Sequence, residues 1–373
     1  MRILIAPDKF KGTLSAQEVC ELIAESFEGH ECILKPVADG GEGTSDILGN
    51  NSEAKTVEVT IQGPLGESVV APIKILLDDE GIPEIAFMEM SAASGLHLLD
   101  NKKLDPWNAS TYGTGQLIIA ARDLGVDKII LGIGGSATND GGAGMAKALG
   151  VRFYDSNGHE IDEIPERLKE LDRVFTDISL DLPEIIVASD VDNPLLGENG
   201  ATRCYGPQKG IQIDEFEDHE TRLGQLAEVV ENEIKQSIRN DEGSGAAGGL
   251  GFGLKAFCGA KLIRGFDLVA ETICLEDAVI NSDLVITGEG SIDAQSIMGK
   301  APFGVAELAR KHNKPVVAFC GVVKNEKELE NIFIRIFPMV DSKVSLQESI
   351  SNPKKVLKNK VDSCRLMIEQ LLK

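Results

Sequence analysis

The chain has 373 residues, 42% hydrophobic and 26% charged, an ordinary globular composition and enough length for two domains. Its net charge of −23, from 60 acidic against 37 basic residues, excludes nucleic acid or an anionic membrane as the main partner. An anionic substrate must therefore be drawn to a local basic spot against the field of the whole chain.

Residues 1–7 are too short an apolar run for a signal peptide and read as a first strand over 3–6. A helix is expected over 15–27, with Ser15 as N-cap and Glu18 completing a capping box. Residues 33–37 form a second strand, and 43–48 open another helix. Between 55 and 90 the texture changes. Segments 57–61, 69–77 and 85–90 alternate or run apolar around turns at 63–66 and 78–81, which predicts an antiparallel meander. Beyond it come a helix at 115–124, a buried strand at 129–133, a glycine-rich turn to Gly142 and a helical run to Leu149. A strand at 184–189 leads into an irregular stretch, a charged helix over 214–239 and a small-residue helix from Gly243 to Cys258. The C-terminal part alternates strand (284–287), helix (302–312), strand (315–320), strand (334–338) and a final helix from about Lys354. The first strand–helix–strand and these C-terminal units are expected to share one parallel sheet, with the middle of the chain as an inserted domain.

No apolar run approaches the roughly 18 residues that span a bilayer. The seven cysteines include no C-x-x-C pair and read as reduced thiols of a cytoplasmic protein; the five histidines have no metal-ligand spacing.

Five segments place small and ionisable residues at the end of an apolar strand: 6–13, 37–44, 132–142, 187–194 and 286–293. In open α/β sheets, ligands bind at such carboxyl ends. The turn after strand 129–133 has the composition of an anion cradle, so Gly134, Gly135, Ser136, Thr138 and Asn139 are expected to bind nucleotide phosphates. It does not follow the P-loop pattern, because no Lys follows the glycines. Gly132-Ile-Gly134 continues to Ala137, so a dinucleotide fingerprint would need Asp155 as its acid; a nucleotide-dependent dehydrogenase of a small hydroxy acid is the alternative class. Asp8, Lys9 and Lys11 are the one concentration of basic charge at a strand tip, where Lys binds an anion as a point charge. Asp39 and Glu42, and likewise Glu289 and Asp293, flank glycines in a setting that suits Mg²⁺ or a base accepting a hydroxyl proton. Asp190 and Asp192 share one side of an extended strand end. Lys300, after Met298 and Gly299, is a second candidate phosphate contact.

The stretches P-D-K-F-K-G-T-L-S-A (7–16), P-V-A-D-G-G-E-G-T (36–44), G-I-G-G-S-A-T-N-D-G-G (132–142), S-D-V-D-N-P-L (189–195), Y-G-P-Q-K-G (205–210), G-S-G-A-A-G-G-L-G (243–251) and T-G-E-G-S-I-D (287–293) together resemble the bacterial type 1 glycerate kinase family. The resemblance runs from the first strand to Gly321. It implies ATP-dependent phosphorylation of (R)-glycerate, generally to 2-phosphoglycerate, with 3-phosphoglycerate as the alternative product. It also implies an α/β fold: a flavodoxin-like parallel-sheet domain (1–62 and 270–373) joined to an inserted α/β domain (63–269), with the active site between them. On this reading Lys9, helped by Lys11, binds the substrate carboxylate or the γ-phosphoryl, with Asp8 and Ser15 also against the substrate. Asp39 or Asp190 positions the hydroxyl and takes its proton. Asp192, Glu289 and Asp293 hold Mg²⁺. The expected partners are ATP and glycerate, without nucleic acid or membrane, and a homodimer is left open.

Overall fold

Ser15 stops the loop after the first strand by accepting the N–H of Glu18, while the Glu18 carboxylate accepts the N–H of Ser15 at 3.0 Å. This reciprocal pairing satisfies two donors that a helix start leaves orphaned, and the helix Ala16–Ser26 follows from it. Its residues Ala16, Val19, Cys20 and Ile23 recur at helical spacing and are buried, so one stripe packs into the core.

The computed structural model describes residues 1–41, 43–51, 54–99, 104–162, 164–176, 181–293, 300–329 and 331–370; Glu42, Met298 and Gly299 lie outside them. The chain divides into two units, Met1–Asp39 with Arg264–Lys373, and Gly40–Ile263. Among the described residues no helix is long and apolar enough to cross a membrane.

In the first unit, five parallel strands lie in the order Arg335–Pro338, Val316–Lys324, Leu284–Asp293, Arg2–Ile5, Glu31–Leu34. Numbered along this unit's own chain the order is 2-1-3-4-5, the flavodoxin arrangement. Its switch point, where strand order reverses, falls between Arg2–Ile5 and Leu284–Asp293. The first helix packs on the last, Pro353–Gln370, over a core of Ile3, Ile5, Ile286, Val317 and Phe319.

Two sequence expectations change here. The strand expected to end at 287, with small and ionisable residues at its tip, runs on: Leu284–Asp293 is one strand, paired with Val316–Lys324 along its length. Its glycines permit close approach instead of turning the chain: a Cβ on Gly288 would lie 2.2 Å from the Phe319 carbonyl oxygen. The domain boundaries also move, to 39/40 and 263/264 from 62/63 and 269/270. Strand Lys55–Gln62 goes with the second unit because it pairs over its whole length with Ser68–Leu77.

The second unit holds a six-stranded sheet in the order Lys261–Ile263, Glu184–Ala188, Lys128–Gly132, Pro83–Glu89, Ser68–Leu77, Lys55–Gln62. The first four strands are parallel and the last three are the expected meander, with Pro83–Glu89 belonging to both. A small ribbon, Arg152–Asp155 with Leu171–Phe175, lies apart from the sheet. Two glycine-rich segments interlock beside it. Gly141 donates its N–H to the Gly248 carbonyl at 3.0 Å. A Cβ on Gly248 would sit 1.9 Å from the Thr138 carbonyl oxygen, and the residue has φ of +70°.

Gly248→Ala should therefore lower the stability of this unit by about 3 kcal/mol or more, through strain and steric overlap together. Trp107, the chain's single tryptophan, lies in this unit and reports its urea transition by fluorescence. Gly29→Ala, at a left-handed glycine of the other unit that faces open space, should leave the Trp107 midpoint in place. Coincident midpoints for Gly248→Ala and the parent would rule out the interlock.

Candidate active site

Five backbone bonds and one hydroxyl assemble the polar cluster of the first unit. Ala6 N–H donates to Ile286 O and Asp8 N–H to Gly288 O, both at 2.8 Å. Thr287 Oγ1 donates to Ala6 O at 2.7 Å. Val37 N–H donates to Pro7 O at 3.0 Å, which carries the chain end at Asp39 to the same place. Phe10 and Leu14 then exchange N–H···O bonds of 2.9 and 3.0 Å and turn the chain back. Asp8, Lys9, Lys11, Asp39, Glu289 and Lys300 consequently line one cavity of about 370 Å³ at the carboxyl ends of the strands.

The electrostatics of this cavity are strained. Burial, and then the neighbouring Asp39 carboxylate, push the Asp8 carboxyl up to about 7, although the Lys9 N–H donates to Asp8 Oδ1 at 2.6 Å. Burial likewise raises Glu289 to about 7, against the opposing pull of Lys300. The Lys300 ammonium spans both Glu289 oxygens at 3.2 and 3.3 Å and reaches Ser291 O at 3.4 Å. Two carboxyls are thus held near neutrality.

Other expected site residues sit elsewhere. Ser15 is an exposed N-cap, its hydroxyl and N–H both engaged with Glu18. Asp293 lies four residues beyond Glu289 on the same strand, roughly 13 Å at 3.3 Å per residue, and accepts from Asn325 Nδ2 at 3.2 Å. Asp192 is exposed and Asp190 half-buried, both in the second unit after strand Glu184–Ala188. Among the described residues no three His, Cys, Asp or Glu side chains converge to hold a metal by themselves. A Mg²⁺ ion here fits only as the partner of one or two carboxylates and substrate phosphates, the usual habit of that ion.

The glycine-rich loop of the second unit is built differently from the expected cradle. Gly134 and Gly135 reach solvent, but Ser136, Thr138 and Asn139 are buried. The helix start that follows is filled by the chain's own carboxylate. Asp140 Oδ2 accepts from Thr111 N–H at 2.8 Å, Thr111 Oγ1 at 2.7 Å and Gly144 N–H at 3.2 Å, and Oδ1 accepts from Gly142 N–H at 3.1 Å. A carboxylate at this position already satisfies the positive end of the helix.

Sequence reading missed the residues behind the loop. Lys209 is 1% exposed, its Nζ donates to Thr138 O at 2.7 Å, and burial lowers its pKa to about 7. Arg222 Nη2 donates to His219 Nδ1 at 2.5 Å, and the guanidinium lies 4.1 Å from the Trp107 ring centre. Burial and then Arg222 hold His219 near 4, a neutral acceptor. His219 and Arg222 lie on a strongly charged helix, Phe216–Ile234, expected over 214–239 without any sign of which side chains turn inward. Lys209, within Y-G-P-Q-K-G, offered only its place between helix breakers. Asp155, the acid a dinucleotide site would use, accepts from Asn157 and His159 N–H within its own turn.

A flavodoxin-order sheet with buried carboxylates and lysines at its switch point defines an α/β enzyme that handles an anionic substrate. The glycerate kinase family model matches residues 3–369. Over 357 residues the chain is 43% identical to a glycerate kinase of Halalkalibacterium halodurans, with 93% of each chain covered. It is also 43% identical over 333 residues to the glycerate 2-kinase of Escherichia coli K12, covering 87% of this chain and 86% of that one. A crystal structure assigned as glycerate kinase 2 of Salmonella typhimurium LT2 superposes with a TM-score of 0.83 at 39% identity, covering 100% of this chain and 97% of that one. The chain belongs to the glycerate kinase family and is a kinase.

Folded Asp8 keeps its proton up to about pH 7, whereas unfolded it releases it near the ordinary 3.8. Stability from this group is therefore full below about pH 4 and is lost as pH rises toward 7. Asp8→Asn should then leave the melting temperature nearly unchanged at pH 4 and raise it at pH 8, by the equivalent of about 1–3 kcal/mol. Scanning calorimetry without nucleotide or divalent ion measures this, and a stabilisation equal at both pH values would contradict it.

Proposed function

We propose that this protein transfers the γ-phosphoryl group of ATP to the 2-hydroxyl of (R)-glycerate. The observation that carries the reading is the cluster of Asp8, Lys9, Asp39, Glu289 and Lys300 around one cavity at the flavodoxin-type switch point, in a chain of the glycerate kinase family. Phosphoryl transfer asks for positioning and charge neutralisation more than for covalent chemistry, and both fit this set.

Lys9 and Lys300, with Lys11 at the rim, neutralise the transferring phosphoryl group and the substrate carboxylate. Phosphate handling falls to these lysines because Asp140 already fills the helix start of the glycine-rich loop. Asp39, or Asp190 in the second unit, positions the glycerate hydroxyl and accepts its proton. Glu289, with Asp39 or Asp8, would hold Mg²⁺, which when bound spreads the negative charge that develops on the phosphates. The seven cysteines are all free thiols, which supports a place in the reducing cytoplasm. The 2-hydroxyl is chosen as acceptor because the Escherichia coli relative carries the name glycerate 2-kinase.

Incubation with Mg-ATP and (R)-glycerate, followed by enolase without phosphoglycerate mutase, tests the reading. Formation of phosphoenolpyruvate identifies 2-phosphoglycerate, since enolase accepts no other isomer. ADP release without that signal means the 3-phosphate, and neither signal removes glycerate as the substrate. Lys9→Ala should lower kcat/KM by roughly 10²–10⁴-fold, about 3–5 kcal/mol of barrier. Wild-type turnover in that variant would place the site elsewhere.

A further inference from the structure

The cavity of the first unit has a second wall that phosphate chemistry does not use. Its lining includes Met339, Leu346 and Ile350 beside the lysines and carboxylates. Met339 follows strand Arg335–Pro338 and is fixed by its N–H on Cys320 O at 2.7 Å, at the same strand-end edge as Glu289. Leu346 and Ile350 are one turn apart on helix Leu346–Ser351, so their side chains share a face. The helix start is fixed by Ser345, whose side chain accepts the Glu348 N–H. Both residues border the cavity, yet they remain 54% and 55% exposed. Two large aliphatic side chains left open on a pocket wall form an apolar shelf facing a polar pole.

We propose that this shelf seats the purine ring of ATP, so that the first unit holds the nucleotide from base to phosphates; the inference rests on the kinase reading above. Glycerate is a small acid with no apolar face and would leave the shelf in water. A volume of about 370 Å³ also exceeds what so small a molecule fills, but lies in the range of pockets that take drug-sized ligands. A nucleoside triphosphate matches both poles, its flat base on the aliphatic wall and its anionic tail toward Lys9, Lys11 and Lys300. The charge pattern agrees: in a chain of net charge −23, three lysines line this one cavity together with its aliphatic residues.

The double variant Leu346→Ser, Ile350→Ser tests this in the full-length protein, and the exposure of both positions makes loss of the fold avoidable. Calorimetric titration is run with ATP, with inorganic tripolyphosphate and with glycerate, in parent and variant, with circular dichroism as the control for folding. The Kd for ATP should rise by about tenfold or more, as lost apolar pocket contacts imply. Tripolyphosphate, which has the charge but no base, should bind parent and variant alike, and so should glycerate. Equal weakening of ATP and tripolyphosphate, or unchanged ATP affinity, would overturn the proposal. A parent that binds ATP in this pattern but never phosphorylates glycerate would refute the proposed glycerate reaction and leave the shelf standing. Turnover with unchanged ATP affinity in the variant would do the reverse.

Discussion

Three parallel pairs, Ile3 with Leu284, Leu4 with Val285 and Ile5 with Ile286, carry more of this structure than their number suggests. They join two parts of the chain that lie far apart; the Thr287 hydroxyl beside them donates to a carbonyl 281 positions earlier. Without that ladder there is no switch point, and Asp8 and Glu289 belong to different strands with no reason to meet. Register does the rest. Parallel pairing at this offset sets the loop after Ile5 beside the continuing strand after Ile286, and the N–H of Asp8 completes the pairing on Gly288. The chemistry of the cavity is in this sense a by-product of sheet register.

That placement works against stability. Carboxylates buried and crowded in one cavity lose hydration and then repel one another, which is why Asp8 and Glu289 are both raised to about 7. Lys300 offsets part of this for Glu289. The remainder is the kind of local destabilisation that a bound cation relieves. The second unit solves its own polar problem internally: Asp140, Lys209, His219 and Arg222 are all deeply buried, and each is partnered by neighbouring groups.

Much of this was legible in the sequence, but glycine was the ambiguous letter. The capping box at Ser15 and Glu18, the meander and the C-terminal alternation of strand and helix follow from local patterns of period 2 or 3.6, and the structure has them. Glycines at 288 and 290 placed the expected strand end at 287, since a strand end and a close strand pair ask for the same missing Cβ. In Gly134–Gly142 the same letters suggested an open anion cradle, yet half the loop is pressed against another glycine-rich segment. The cluster of Asp8, Lys9, Asp39 and Glu289 could be named from its place after apolar runs. Lys209 and Arg222 could not, because a charged residue gives no sign in sequence that its helix or loop turns it inward.

The discontinuity of the first unit also sets an order of events during synthesis. Strand Arg2–Ile5 and its helix leave the ribosome long before their sheet partner, which begins at Leu284. The whole of Gly40–Ile263, which contains its own sheet and core, is made in the interval. Domains fold as units as they emerge, so the later-starting unit is complete while the earlier one still waits with an apolar strand edge unpaired. An unpaired edge of that kind is a template for wrong partners, and Arg2 at one end with Lys35 just past the neighbouring strand supplies charges of the sort that discourage them. Strand Arg2–Ile5 is thus made well before its partner Leu284–Asp293, and the cavity between their ends takes shape only after the second unit has been made.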